Sequence, residues 1–244
     1  MSSAQRRLFR MGVPVLMYHK IDCVPRGARD PFLYVSPTRF AEQLQLLAAR
    51  GYTGATLDAI PAVADNRASQ VVITFDDGAA SVFTNALEIL ARHRFRAIQF
   101  IVAGLIGKRN DWDIAKGEAP DLMMDENQIR QWLAAGHEIG SHTVTHPNLK
   151  RVPLPQAREE IFASKKKLED TFGIPVRHFC YPSGKWNEAI RGLVAEAGYS
   201  SACSVEFGVN TAATPRFALR RVTPLSGFEF LRKVRHRIVR KLCG

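Results

Sequence analysis

The 244-residue sequence predicts an α/β protein built on a parallel β-sheet, and three observations lead there. Val71 to Phe75, "VVITF", is a near-continuous apolar run, which suits a strand covered on both faces. Strand-like and helix-like stretches alternate along the chain, as they do where helices cross over between parallel strands. The helix-like stretches also carry start and stop signals, such as Ser36 before "PTRFAEQLQLLAAR" and Gly51 after it.

In chain order, "VPVLMYH" (13–19) reads as a strand, and "SPTRFAEQLQLLAARG" as a capped amphipathic helix. "VVITF" leads to "SVFTNALEILARH", a helix with Phe83, Leu87 and Leu90 on one face. "AIQFIV" is the next strand, followed by a looser segment around Trp112. "DENQIRQWLAAG" is a helix with Asp125 as N-cap and Gly136 as its stop. "HEIGSHT" is a short strand and "PLPQAREEIFASKKKLEDTFG" a long helix. "VRHFCYP" and "NEAIRGLVAEAG" add a strand and a helix, and "YSSACS" and "FALRRV" complete the set. Whether such a sheet is closed or open, chemistry gathers at the C-terminal ends of its strands.

Composition narrows the class. Hydrophobic content of 46% and charged content of 23% describe an ordinary globular protein, long enough for one sizeable core. The four cysteines, Cys23, Cys180, Cys203 and Cys243, lie far apart, so neither a zinc knuckle nor a disulfide framework is expected. No run approaches the roughly 20 apolar residues of a membrane span. The N-terminal stretch has arginines, but Pro14 and His19 break its apolar run, and a cytoplasmic protein is expected. Arg6, Arg7 and Arg10 supply three positive charges and Arg232, Lys233, Arg235, Arg237, Arg240 and Lys241 six, which leaves +2 of the net +11 to the rest of the chain.

Two constellations carry chemistry. Asp76 and Asp77 end the "VVITF" strand, and Gly78 allows a sharp turn after them. Adjacent carboxylates at the mouth of a core repel each other unless a cation holds one or one is kept as a base. At the end of another strand, "GHEIGSHTVTHPNL" places His142 and His146 four apart, a spacing that aligns side chains on a helical turn. Two imidazoles and one carboxylate form a common ligand set for Zn²⁺ or a similar divalent ion. One acid would then bind the ion while the other stays free to take a proton.

"TFDDG" followed by "HTVTH" resembles the polysaccharide deacetylase family, the NodB-homology domain of carbohydrate esterase family four. The resemblance runs from "VLMYHKI" to about "LRRVTP" and implies a single-domain, distorted (β/α)₇ barrel over residues 13–226. It also implies metal-dependent hydrolysis of an N-acetyl group on an amino sugar. On that basis Asp76 is the catalytic base, and Asp77, His142 and His146 bind the metal. Zn²⁺ is the expected ion, with Co²⁺, Ni²⁺ and Mn²⁺ as alternatives.

The chain departs from the family pattern in two places. Where the third motif usually reads Arg-Pro-Pro-Tyr-Gly, this sequence has "CYPSG", with Cys180 at the Arg and Ser183 at the Tyr. The Arg that orients the base is therefore missing or comes from elsewhere, whereas an oxyanion-binding backbone N–H can survive as that of Ser183. Cys180 itself reads as a small buried hydrophobe. The late Leu-x-His motif is also absent, and His19 of "MYHK" is the candidate acid, since the Tyr-His pair resembles a branch that includes poly-N-acetylglucosamine deacetylases. Tyr181 and Trp186 are expected to line the substrate site, and His93, His137 and His178 to be structural or at the surface.

"FEFLRKVRHRIVRKL" has Phe228, Leu231, Val234, Ile238 and Leu242 at helical spacing with basic residues between them. Residues 1–12 and 227–244 are thus expected as a basic segment and a basic amphipathic helix flanking the domain. The helix would either pack on the barrel or lie on anionic lipid. No nucleic-acid partner is expected, because no stacking aromatics are interleaved and no such motif appears. The expected substrate is an N-acetylated amino sugar or oligosaccharide, free or lipid-linked. Removal of another small N-acyl group such as formyl, or an inactive sugar- or lipid-binding homologue, are the competing readings.

Overall fold

The computed structural model describes residues 7–9, 11–60 and 69–224, so the expected helix at 227–244 lies outside the described residues. In chain order the first half holds β1 (Val15–Tyr18), β2 (Lys20–Ile21), β3 (Tyr34–Val35), α1 (Pro37–Ala48), β4 (Thr53–Gly54), β5 (Gln70–Phe75) and α2 (Ala80–Arg92). Then follow β6 (Ala97–Ile101), α3 (Asp111–Ile114), α4 (Glu126–Ala134), β7 (Glu138–Ser141) and α5 (Leu154–Phe172). The chain continues through β8 (His178–Cys180), α6 (Glu188–Glu196), β9 (Ser201–Phe207) and β10 (Leu219–Arg221).

Seven strands form one parallel sheet in the order β1-β5-β6-β7-β8-β9-β10, with β4 extending the start of β5. The sheet closes on itself at a thin seam. Beyond β10, Val222 accepts from Met17 N–H at 3.0 Å and donates to Val15 O at 2.8 Å. The result is the expected (β/α)₇ barrel, with every strand pair parallel in the same sense.

Alternation explains why the strands read as apolar runs. Val15, Val72, Ile98, Phe100, Cys180, Cys203 and Leu219 pack into one interior cluster. Their neighbours Leu16, Ile73, Ile101, Phe179 and Ala202 pack outward under the helices. Both faces of β1, β5, β6 and β8 are buried, so few positions there are free to be polar. An inward polar side chain on these strands is an exception.

The helices begin where the side-chain caps direct. Ser36 Oγ accepts from Arg39 N–H at α1, and Asp125 and Gln128 make a reciprocal capping box at α4. On α2 the fully buried stripe is Val82, Ala86 and Leu90, while Phe83 and Leu87 are half-buried, a small rotation from the expected face. The looser segment at Trp112 contains the single turn α3, and the short β2–β3 pair lies beside the barrel. Among the described residues no helix is long and apolar enough to cross a membrane.

Candidate metal and catalytic site

β5 delivers the two acids to the mouth of the barrel and then turns abruptly. Asp76 N–H still pairs with Tyr18 O, whereas Asp77 has φ 75° and Gly78 φ 89°. A left-handed residue costs roughly 1–2 kcal/mol except for glycine, with Asp among the better tolerated. The turn sends the neighbouring carboxylates to different partners. Asp77 Oδ1 lies 3.4 Å from His142 Nε2 and 3.5 Å from His146 Nε2, with all three side chains buried.

The histidines converge by a different route from the one their spacing predicts. Residues 142–146 are a loop, not a helical turn, with Thr143 at φ 71° and His146 at φ 61°. The end of β6 straps this loop: His142 N–H donates to Ile101 O, Ala103 N–H to Thr143 O and Gly104 N–H to Val144 O. Gly104 has to be glycine there, since a Cβ would come within 2.6 Å of Val144 O. The imidazole rings of His142 and His146 sit 4.8 Å apart at 64°.

The donor chemistry fits a cation. His142 Nδ1 lies 2.7 Å from the Cys180 carbonyl, which can only accept, so Nδ1 carries the hydrogen. In the neutral ring Nε2 then turns a bare lone pair toward the carboxylate oxygen of Asp77, an arrangement that calls for a positive charge between them. A proton can supply that charge in place of a metal: burial opposes charge at His142, yet Cys180 and Asp77 lift its pKa well above the usual imidazole value. Burial also opposes ionisation of Asp77, but the His142 hydrogen bond and the nearby imidazoles hold its carboxyl well below the usual range. Burial, with the charge of His142, pushes His146 down to about 3, leaving it neutral and able to ligate.

A second cluster, Asp76, His142 and Cys180, also brings three ligand atoms within 4.8 Å of one another. It is a poor cation site, because a buried guanidinium already occupies it. Arg221 Nη1 and Nη2 donate to Asp76 Oδ1 and Oδ2, both at 2.7 Å. The other three N–H groups go to Ser204 O at 2.8 Å, Thr74 Oγ1 at 3.2 Å and Cys180 Sγ at 3.2 Å. All five guanidinium donors are thereby used. Burial would raise the Asp76 carboxyl, but the Arg221 charge and its hydrogen bonds outweigh it and hold the group below its ordinary value.

Arg221 is the functional candidate that sequence reasoning missed. It stands on the last strand, with the same inward parity as Leu219, and reaches across to the base from β10. An arginine at an inward position of the last strand, next to the outward, exposed Arg220, was the available signal. Cys180 occupies the family's Arg position, but it is more than a hydrophobe. Its Sγ lies 3.5 Å from Asp76 Oδ2, and burial pushes the thiol up to about 11, so it remains an S–H donor.

The structure also brings in His19, whose Nε2 lies 3.8 Å from Asp76 Oδ2, because β1 pairs directly with β5 and the two strands end side by side. Ser183 is exposed at φ 54°, and among the described residues its N–H makes no backbone hydrogen bond. Tyr181 is a correction: it is fully buried, and its hydroxyl donates to Phe217 O at 2.9 Å, so it supports the wall from behind. Trp186 is half-buried and stacks on Tyr181 at 6.0 Å, with the Arg191 guanidinium 5.9 Å from its ring centre. An aromatic ring that does touch this group is Trp112, 4.8 Å from the ring of His146.

A parallel barrel whose strand ends carry two imidazoles and a carboxylate that could hold a metal, beside a separate, arginine-held acid, has the parts of a metal-dependent hydrolase. The chain belongs to the polysaccharide deacetylase family, whose sequence profile matches residues 64–202. It is similar to the chitooligosaccharide deacetylase of Azorhizobium caulinodans, 35% identical over 132 residues, 53% of this chain and 55% of that protein. The chain spans about half the length of the chitooligosaccharide deacetylases it matches. Among solved structures it resembles BC0361, a polysaccharide deacetylase from Bacillus cereus, with TM-score 0.72 and 26% identity over 87% of this chain and 64% of that one. The Streptococcus pyogenes deacetylase PplD, solved with acetate, shares the fold at TM-score 0.76 and 23% identity, over 91% of this chain and 97% of that one.

Proposed function

We propose that this chain removes the N-acetyl group from an N-acetylated amino sugar in a glycan, a glycolipid or a lipid-linked precursor. The observation that carries this reading is the convergence of Asp77, His142 and His146, with a second carboxylate beside them that is oriented by arginine. In this reading Asp77, His142 and His146 hold a divalent ion, and the mixed imidazole–carboxylate set favours Zn²⁺. Such an ion supplies Lewis acidity to an amide carbonyl and to water. Asp76 takes the proton from the attacking water. Arg221 keeps that carboxylate ionised and fixed by holding both its oxygens, and Oδ2 also faces His19. The Ser183 N–H donates to the carbonyl oxygen as charge develops on it. His19 returns a proton to the departing nitrogen as the C–N bond breaks, giving acetate and a free amine.

The test is acetate release from N-acetylglucosamine and its oligosaccharides, free and lipid-linked, alongside metal content. Asp76→Asn is expected to retain metal and lose turnover, whereas Asp77→Asn is expected to lose both. Normal turnover by Asp76→Asn would remove it as base. We further propose that the enzyme works in the cytoplasm, with residues 227–244 on the anionic inner leaflet, on the strength of that segment's basic amphipathic sequence. Liposome flotation of the full chain against one ending at Pro224 tests this, and equal flotation ends the membrane part.

A further inference from the structure

We propose that Glu160 is a positioning residue for the metal ligands, a carboxylate clamp from α5 that holds the loop between His142 and His146 in the shape that turns both imidazoles to Asp77. The inference rests on the metal reading above.

The loop needs such a clamp. Thr143 and His146 both take the left-handed backbone that non-glycine residues avoid, so the surroundings have to impose it. Between them, Val144 N–H and Thr145 N–H both donate to Glu160 Oε2, at 2.8 and 2.9 Å. Thr145 Oγ–H donates to Glu160 Oε1 at 2.6 Å. Glu160 is 6% exposed, and among the described residues it has no cationic partner. A buried carboxylate without a cation is costly unless hydrogen-bond donors fill its lone pairs. Here the loop supplies three donors, so the charge and the loop shape enforce each other.

The placement of Glu160 on its helix supports the same point. The buried stripe of α5 runs Ala157, Glu160, Ile161, Ser164, Leu168 and Phe172, so a glutamate stands where packing alone would place an apolar residue. Ser164 of that stripe pairs with Ser141 Oγ at 2.7 Å, and Ser141 Oγ accepts from Thr143 N–H at 3.3 Å. One helix therefore grips the loop on both sides of Thr143. Within the loop, Thr143 Oγ1 accepts from His146 N–H at 3.0 Å and passes the restraint to the second ligand. Groups that orient metal ligands typically contribute 10–100-fold to metal affinity.

The test uses the full chain and Zn²⁺ titrated against a chelating indicator, with melting temperatures of the metal-free proteins measured in parallel. Glu160→Gln is expected to bind Zn²⁺ about 10–100-fold more weakly than wild type. Thr145→Val, an exposed position that loses one of the three bonds, is expected to show a smaller loss with its metal-free melting unchanged. If Glu160→Gln does not fold, Thr145→Val carries the test alone. Wild-type affinity in the folded variants overturns the clamp while leaving the metal site standing. A wild-type chain that binds no Zn²⁺ overturns the metal reading itself.

Discussion

The mouth and the interior floor of this barrel are built from the same strands and have opposite chemistry. Val15, Val72, Ile98, Phe100 and Leu219 fill the floor as an apolar cluster. Further along the same strands stand Thr74, Asp76, Cys180 and Arg221, all buried and joined by hydrogen bonds. Backbone strain follows the same division. Of the non-glycine residues with positive φ among the described residues, Asp77, Thr143, His146 and Ser183 lie at the mouth, and only Arg94 lies elsewhere. The floor is arranged to pack, and the mouth is held in place against local preference, which is where a working site is expected.

Substitutions at the two ends should therefore fail in different ways. The largest expected effect is at Asp76→Asn, where loss of the base costs about 10²–10⁴-fold in kcat with metal content retained. Wild-type kcat would erase the distinction between the two ends. Next is Arg221→Ser, which leaves Asp76 buried and unpaired and is expected to destabilise the fold by ~3–5 kcal/mol while lowering kcat. This prediction has a sharper form. Adding Cys180→Arg returns a guanidinium from the position where the family usually keeps it, and part of the lost turnover should return. If the double variant is folded yet as inactive as Arg221→Ser, the two strand positions are not interchangeable.

His19→Ala comes third, with turnover reduced and Zn²⁺ content unchanged; unaltered turnover would remove His19 from the proton path. At the floor, Phe100→Ala is expected to cost ~3–5 kcal/mol in urea denaturation yet leave kcat/KM within a few-fold. A large catalytic loss without destabilisation would show that the floor also shapes the site. The smallest effect concerns pH. Burial pushes His137 and His178 down to about 4 in the folded chain, against 6.5 for an exposed imidazole. Between those values the unfolded chain binds protons that the folded one refuses, so stability is full above pH 6.5 and falls as pH drops toward 4. A melting temperature that stays flat from pH 7 to 5 would contradict this.

Much of the fold was legible because its signals are local. Apolar runs marked strands buried on both faces, and Ser36, Asp125 and Gly51 marked helix ends. The acids and histidines were legible as residue types adjacent in sequence. Their convergence was not, since His142 and His146 meet through two left-handed residues instead of the helical turn their spacing suggested. Tyr181 was misplaced because its neighbours in sequence point at the mouth while its own side chain turns into the core. Glu160 looked like one more surface charge on a long helix, and only its position in the buried stripe shows otherwise.

The sequence by itself determined a parallel α/β sheet and a candidate metal-ligating set, because periodicity, caps and short motifs act over a few residues; its closure into a barrel was only what the family resemblance implied. Only the tertiary structure decided which groups serve that set. Arg221 lies 145 positions from Asp76, and the two meet because barrel closure sets the last strand beside β1, one strand away from β5. Distance along the chain carries no signal of such a pairing; the closed sheet creates it.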